Sequence, residues 1–266
     1  MEVTELDIIM TSPGPGWSGN ADQYFVEIVT KYGDCADLIA FPGWTLSSDQ
    51  FENIKGEIAG ISKKKARVLW EVGEPSDAEE KAKLVELYSN QCGDFTCHGR
   101  QFFVSPKDRQ GRIDFMNACD DWNGGNKLGR WIKVKGKYFF WLNCGEIFLL
   151  RSPQNTECSC PRDDVKEWFE GIKKKAAGFF NPTHTEFQRR HITAKQARYL
   201  SQGNRIFLRP TRHDKADRTG DDAYRKRHLI VYRGSKFENP SSNEDRRWGD
   251  DAGGAYMLSR FNVPAP

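Results

Sequence analysis

Short apolar runs closed by Pro or Gly alternate with stretches of helical period along the first third of the chain. Residues 6–10 (Leu-Asp-Ile-Ile-Met) form one such run, ended by the Pro- and Gly-rich segment 12–16, and predict a strand. Residues 22–31 then place Tyr24, Phe25, Ile28 and Val29 at helical spacing, one apolar stripe of a surface helix. Residues 38–41 give a second buried strand stopped by Pro42-Gly43. After Ser47-Ser48 comes a capped helix with Phe51, Ile54 and Ile58 on one face. Residues 67–72 predict a third strand and 77–88 a further helix. Strand and helix alternating at this pace indicate an α/β sheet with crossover helices.

The middle of the chain is less regular. Residues 101–104, 130–134 and 138–142 read as strands, the last two joined as a hairpin through Lys135-Gly136. The polar, Gly-rich stretch 119–129 reads as a loop. A helix over 163–175, a short strand over 178–180, a helix over 186–201 and a strand over 206–208 follow. The charged stretch 209–227 reads as a long exposed loop, residues 229–232 as the last strand, and the tail from Glu238 as an irregular segment with few apolar anchors. With no internal repeat and no low-complexity linker, the expectation is one domain over residues 1–266.

Composition narrows the function classes. Lys+Arg 40 against Asp+Glu 37 leaves a net charge of +3, so no broad field favours nucleic acid or an anionic membrane. The basic stretches point the same way. The 209–227 segment has Tyr224 as its one aromatic, and Lys63-Lys64-Lys65 and Lys173-Lys174-Lys175 read as cations at helix C-termini. No run reaches the ~20 apolar residues of a membrane span, and Glu2, Glu5 and Asp7 oppose a secretory leader. Seven cysteines scattered through 266 residues do not suggest a disulfide framework. The simplest compartment is the cytoplasm. Neither Cys158-Ser159-Cys160 nor Cys92 and Cys97 with His98 fits a zinc spacing, so no metal and no cofactor is expected.

Three segments, taken in order, resemble the carbon–nitrogen hydrolase (nitrilase) superfamily. Ala36-Asp37-Leu38-Ile39-Ala40-Phe41-Pro42 is similar to a family strand end. The segment from Gly136 through Leu142-Asn143-Cys144-Gly145-Glu146 is similar to the strand that delivers the family's nucleophilic cysteine. Phe179-Phe180-Asn181-Pro182-Thr183-His184 resembles a third strand end. The resemblance implies an α/β fold of the four-layer αββα sandwich type and a Glu-Lys-Cys triad. It makes Cys144 the nucleophile and, by its place after a strand and 37 residues upstream, prefers Lys107 over Lys133, Lys135 or Lys137 as the oxyanion partner. Glu146 and His184 become candidate substrate-binding residues.

The glutamate is where the chain departs from that pattern. Gly43 stands immediately after Phe41-Pro42, where the family places its general base. Glu71, at the end of the neighbouring strand, is the candidate replacement, and surface charge is its bland reading. Cys144 alone would read as a buried packing residue, and His184 as a helix cap or backbone partner. Two functions therefore stand. One is a cysteine hydrolase of a small amide, nitrile or related C–N substrate. The other is an inactive binding or regulatory protein of the same fold, since fold does not fix function. Assembly into a homo-oligomer is left open.

Overall fold

The computed structural model describes residues 5–13, 19–43, 45–61, 65–73, 86–91, 94–103, 105–119, 129–183, 190–211, 229–238, 247–248 and 256–266. The first sheet contains β1 (Glu5–Pro13), β2 (Leu38–Ala40), β3 (Arg67–Val72), β4 (Glu86–Gln91), β5 (Asp94–Arg100), β14 (Arg247–Trp248) and β15 (Tyr256–Pro264), in the order β14-β15-β1-β2-β3-β4-β5. The second contains β6 (Trp131–Val134), β7 (Lys137–Trp141), β10 (Gly178–Phe180), β11 (Ile206–Pro210), β12 (Leu229–Arg233) and β13 (Lys236–Phe237), in the order β13-β12-β11-β10-β7-β6. A ribbon of β8 (Leu150–Arg151) and β9 (Cys160–Pro161) stands apart. In each sheet the central three strands, β1-β2-β3 and β7-β10-β11, are parallel, and antiparallel strands close the edges.

Side-chain alternation on these strands produces the layers. Successive residues point to opposite faces. On β2, Leu38 and Ala40 pack against the second sheet, whereas Ile39 packs against helices. Leu6, Ile8, Met10 and Leu69 of the first sheet meet Phe139, Trp141, Phe180, Ile206 and Leu208 of the second in one buried layer between the sheets. Phe25, Ile28 and Val29 of α1 (Ala21–Tyr32) and Phe51 and Ile54 of α2 (Ser48–Ile61) cover the first sheet's outer face. Phe115 of α3 (Arg109–Cys119), Phe169 and Ile172 of α4 (Lys166–Lys175), and Ala197 and Leu200 of α5 (Arg190–Leu200) cover the second's. The result is helix, sheet, sheet, helix. The expected four-layer α/β sandwich is present, with residues 38–41 and 139–142 buried at its centre.

Lys135 and Gly136 both adopt positive φ, 46° and 77°, the backbone a two-residue hairpin demands. The β6–β7 hairpin is thus as expected. At Gly178 an added Cβ would lie 2.4 Å from the Ile206 carbonyl oxygen and 2.6 Å from the Phe139 ring, so glycine lets β10 fit between its neighbours.

Four expectations need correction. Residues 86–88 belong to β4, a strand hairpinned to β5, and not to a helix; residues 74–85 lie outside the described set. Residues 101–103 form no strand, and the helix that follows, α3, was not anticipated. The exposed loop does not begin at 209, because Arg209, Pro210 and Thr211 are buried and Arg209 and Pro210 end β11; residues 212–228 lie outside the described set. The tail is anchored. β15 pairs along the full length of β1, from Glu5↔Pro264 to Pro13↔Tyr256, and buries Tyr256, Leu258, Phe261 and Val263.

Candidate functional site

Parallel strands end on one edge, and here the C-terminal edges of both sheets converge. The Gly43 amide donates to the Thr183 carbonyl at 3.2 Å, and the Ser12 hydroxyl donates to the Thr211 carbonyl at 2.7 Å. The Thr183 and Thr211 hydroxyls meet at 2.7 Å. These bonds join the ends of β1, β2, β10 and β11. Thr11, Ser12, Thr45, Glu71, Asn143, Asn181, Thr183, Arg209 and Thr211 are all buried on this edge. Such a concentration of buried polar groups at the switch edge of an α/β fold is where chemistry is expected.

Cys144 opens a 3-10 helix, Cys144–Leu149, directly beyond β7. Asn143 caps it, its side chain accepting from the Cys144 amide at 2.7 Å, while Glu146 reaches back to accept from the Asn143 amide at 2.8 Å. This reciprocal capping box fixes the sharp turn from strand to helix. A second tie comes from β10. The Asn181 side-chain amide donates to the Leu142 carbonyl at 2.8 Å and to the Cys144 carbonyl at 3.4 Å. The thiol residue is therefore held from both sides, and it is 5% exposed.

Glu146 is fully enclosed. Besides the Asn143 amide it accepts from the Phe102 amide at 3.0 Å and from Arg130 Nη2 at 3.0 Å. Burial pushes its carboxyl above the ordinary range, and Arg130 and the two amides pull the other way. Arg130 is also fully enclosed, lies over the Phe115 ring and donates to the Arg100 carbonyl. These bonds make Glu146 a residue that positions the Cys144 turn; no contact with a substrate is needed to explain it.

The other expected residues differ in their surroundings. Glu71 is the next-to-last residue of β3 and has no exposed surface. By alternation it shares the face of Leu69, which looks into the layer between the sheets. Lys107 sits in an exposed turn before α3, its amide donating to Ser105 Oγ at 3.2 Å. His184 lies outside the described residues.

Two buried residues were not among the site residues expected from the sequence. Arg209, at the end of β11, is 2% exposed. Burial pushes its guanidinium down to about 10, and the neighbouring Cys144 charge acts in the opposite sense. Its place beside a charged stretch hid it, although Ile206-Phe207-Leu208 just before it marks a buried strand end. His98, on β5, is 4% exposed and packs on Trp141 with ring centroids 5.4 Å apart. Its Nδ1 faces the Gly129 carbonyl, which can only accept, so the proton sits on Nδ1 and Nε2 accepts from the Ser89 hydroxyl at 2.6 Å. Burial first, then Arg130 and Arg67, push His98 down to about 4 against the pull of the Gly129 bond. It is neutral near pH 7. No local sequence pattern announces this histidine.

Among the described residues no three His, Cys, Asp or Glu gather as a metal site, and no helix is long and apolar enough to cross a membrane.

No protein-family model matches the sequence, and no curated protein does. Solved structures do match. A CN-hydrolase superfamily protein from Xanthomonas campestris is 12% identical, with 98% of this chain and 91% of that one covered, at a TM-score of 0.55. A mutant amidase from Nesterenkonia sp. AN1, with the acetamide moiety of fluoroacetamide covalently added at its active-site cysteine, is 9% identical, with 100% and 93% covered, at 0.55. A carbon–nitrogen hydrolase from Helicobacter pylori G27 is 10% identical, with 97% and 89% covered, at 0.52.

Proposed function

Starting from a chain that has the fold of the nitrilase, or carbon–nitrogen hydrolase, superfamily, we propose a thiol-dependent hydrolase of a small amide or related C–N bond, with Cys144 as nucleophile. The observation that carries this reading is the capped strand-to-helix turn at Cys144, tied from both sides on the edge where the two sheets converge. The covalent adduct at the active-site cysteine of the Nesterenkonia amidase is the chemistry the reading transfers to this chain. The Cys144 sulfur attacks the amide carbon, and the C–N bond breaks as the nitrogen leaves with a proton. Water then cleaves the thioester to release the acid.

Glu71 is the carboxylate we assign to the proton transfers, because it is buried at the end of a central parallel strand next to β2, where Gly43 has no group to accept a proton. Lys107, the oxyanion partner the resemblance implies, stands in an exposed turn before α3. A second reading, a binding protein that keeps the fold without turnover, is favoured by the same two facts: Gly43 at the base position and an exposed Lys107. The test is release of ammonia from a panel of small amides by the natural protein, Cys144→Ala and Glu71→Gln. Release abolished in both variants supports the hydrolase with its relocated base. No release from any amide by the natural protein favours the binding reading.

A further inference from the structure

The buried edge around Cys144 holds a cation that does not belong to the implied triad. β7, β10 and β11 run in register, with Trp141, Phe180 and Leu208 side by side. One step further, Leu142, Asn181 and Arg209 form the next row, tied by the Leu142 amide to the Phe180 carbonyl and the Asn181 amide to the Leu208 carbonyl, both at 2.8 Å. Asn181 sits between them and bonds the Leu142 and Cys144 carbonyls. Arg209 therefore stands two strands from the nucleophile turn, in the row from which that turn departs. It alternates with Leu208 and so shares the face of Phe207, which packs in the same layer as Leu142 and Ile147. Arg209 and Cys144 are 2% and 5% exposed. With so little solvent at either residue, a positive charge on Arg209 is felt by a thiolate at Cys144 more strongly than it would be in water.

We propose that Arg209 is the positioning residue whose charge holds Cys144 as a thiolate. The inference rests on Cys144 being the nucleophile of the proposed function and adds what activates it. Arg209 stays protonated well above neutral pH. Among the described residues, Glu146 and Arg112 have partners of their own. Glu146, on the turn itself, is neutralised by Arg130. The described part of β10 and the residues after it, 178–183, have no titratable side chain. On α3, Arg112 is taken up by Asp164 at 2.6 Å. Glu71, the carboxylate assigned to the proton transfers, lies on the facing sheet, and in its ionised form it would disfavour a thiolate, an effect a cation on the Arg209 side offsets.

The experiment follows iodoacetamide alkylation of Cys144 by peptide-resolved mass spectrometry between pH 5 and pH 10. The thiolate sulfur displaces iodide, forming one S–C bond as the C–I bond breaks, so the rate reports thiolate and not thiol. In the natural protein the midpoint of the rate–pH profile should lie below that of the same cysteine in the urea-unfolded chain. In Arg209→Met it should rise enough that alkylation near pH 6.5 slows on the order of tenfold, whereas Arg209→Lys should stay close to the natural profile. A native midpoint at or above the unfolded one overturns the proposal, as does a folded Arg209→Met with an unchanged midpoint or a Cys144 unreactive at every pH. If Arg209→Met does not fold, the native-against-unfolded comparison decides alone. The hydrolase reading fails separately: a shifted midpoint with no amide turnover leaves Arg209 in its role and removes the reaction.

Discussion

His98 gives the folded state a measurable cost in acid. Its ring is enclosed between Ser89, the Gly129 carbonyl and the Trp141 indole, and burial together with Arg130 and Arg67 pushes it from the ordinary 6.5 down to about 4. Between those two values the unfolded chain binds a proton that the folded chain refuses, so stability falls as pH drops through the window. The linkage gives about 3 kcal/mol lost between pH 7 and pH 4 from this group alone, at ~1.36 kcal/mol per unit. His98→Phe keeps an aromatic ring against Trp141 and cannot titrate. Urea unfolding of both proteins at pH 7, 6, 5 and 4 isolates the effect, because the other acid-sensitive groups are common to both. The natural protein should lose about 3 kcal/mol more than the variant over that range, whatever the variant's offset at pH 7. Parallel stability–pH curves would refute the reasoning and show that His98 takes up its proton in place.

Glu146→Gln removes the counter-charge of a fully enclosed Arg130 and should lower stability by roughly 3–5 kcal/mol, read from urea unfolding at pH 7; a loss below about 1 kcal/mol would mean the pair is not what holds the Cys144 turn. Gly178→Ala drives a methyl to 2.4 Å from the Ile206 carbonyl and should cost about 1–3 kcal/mol by thermal or urea melting, whereas an unchanged midpoint would mean β10 and β11 part freely.

The parallel core was legible in the sequence because β1, β2, β3, β7, β10 and β11 are buried on both faces and so read as apolar runs ended by Pro, Gly or polar residues. The β4 strand was not legible: its inward positions include Ser89 and Asn90, so no apolar alternation marks it. α3 buries Phe115 and Cys119, half-buries Met116 and otherwise buries Gly111 and Arg112, which leaves a thin helical stripe. β15 buries Tyr256 and Leu258 on one face and Phe261 and Val263 on the other, a pattern that blurs alternation at the end of a polar tail. At the candidate site, Cys144 and Glu71 were named through the family resemblance, which strand ends alone would not have supplied. Arg209 was not, because a buried arginine at the edge of a charged stretch looks in sequence like the first residue of a solvated loop. His98 and Arg130 are held there by contacts beyond the local sequence, the Gly129 carbonyl and the Glu146 carboxylate.

The central claim is that Cys144 forms a covalent acyl bond with its substrate. Intact-mass measurement of the protein quenched during incubation with small amides, followed by peptide mapping, tests it most directly. The account predicts a mass increase equal to the acyl group of an accepted amide less the thiol hydrogen it replaces, mapped to Cys144 and absent in Cys144→Ala. An acyl adduct on any other cysteine, or ammonia release that persists in Cys144→Ala, would contradict it.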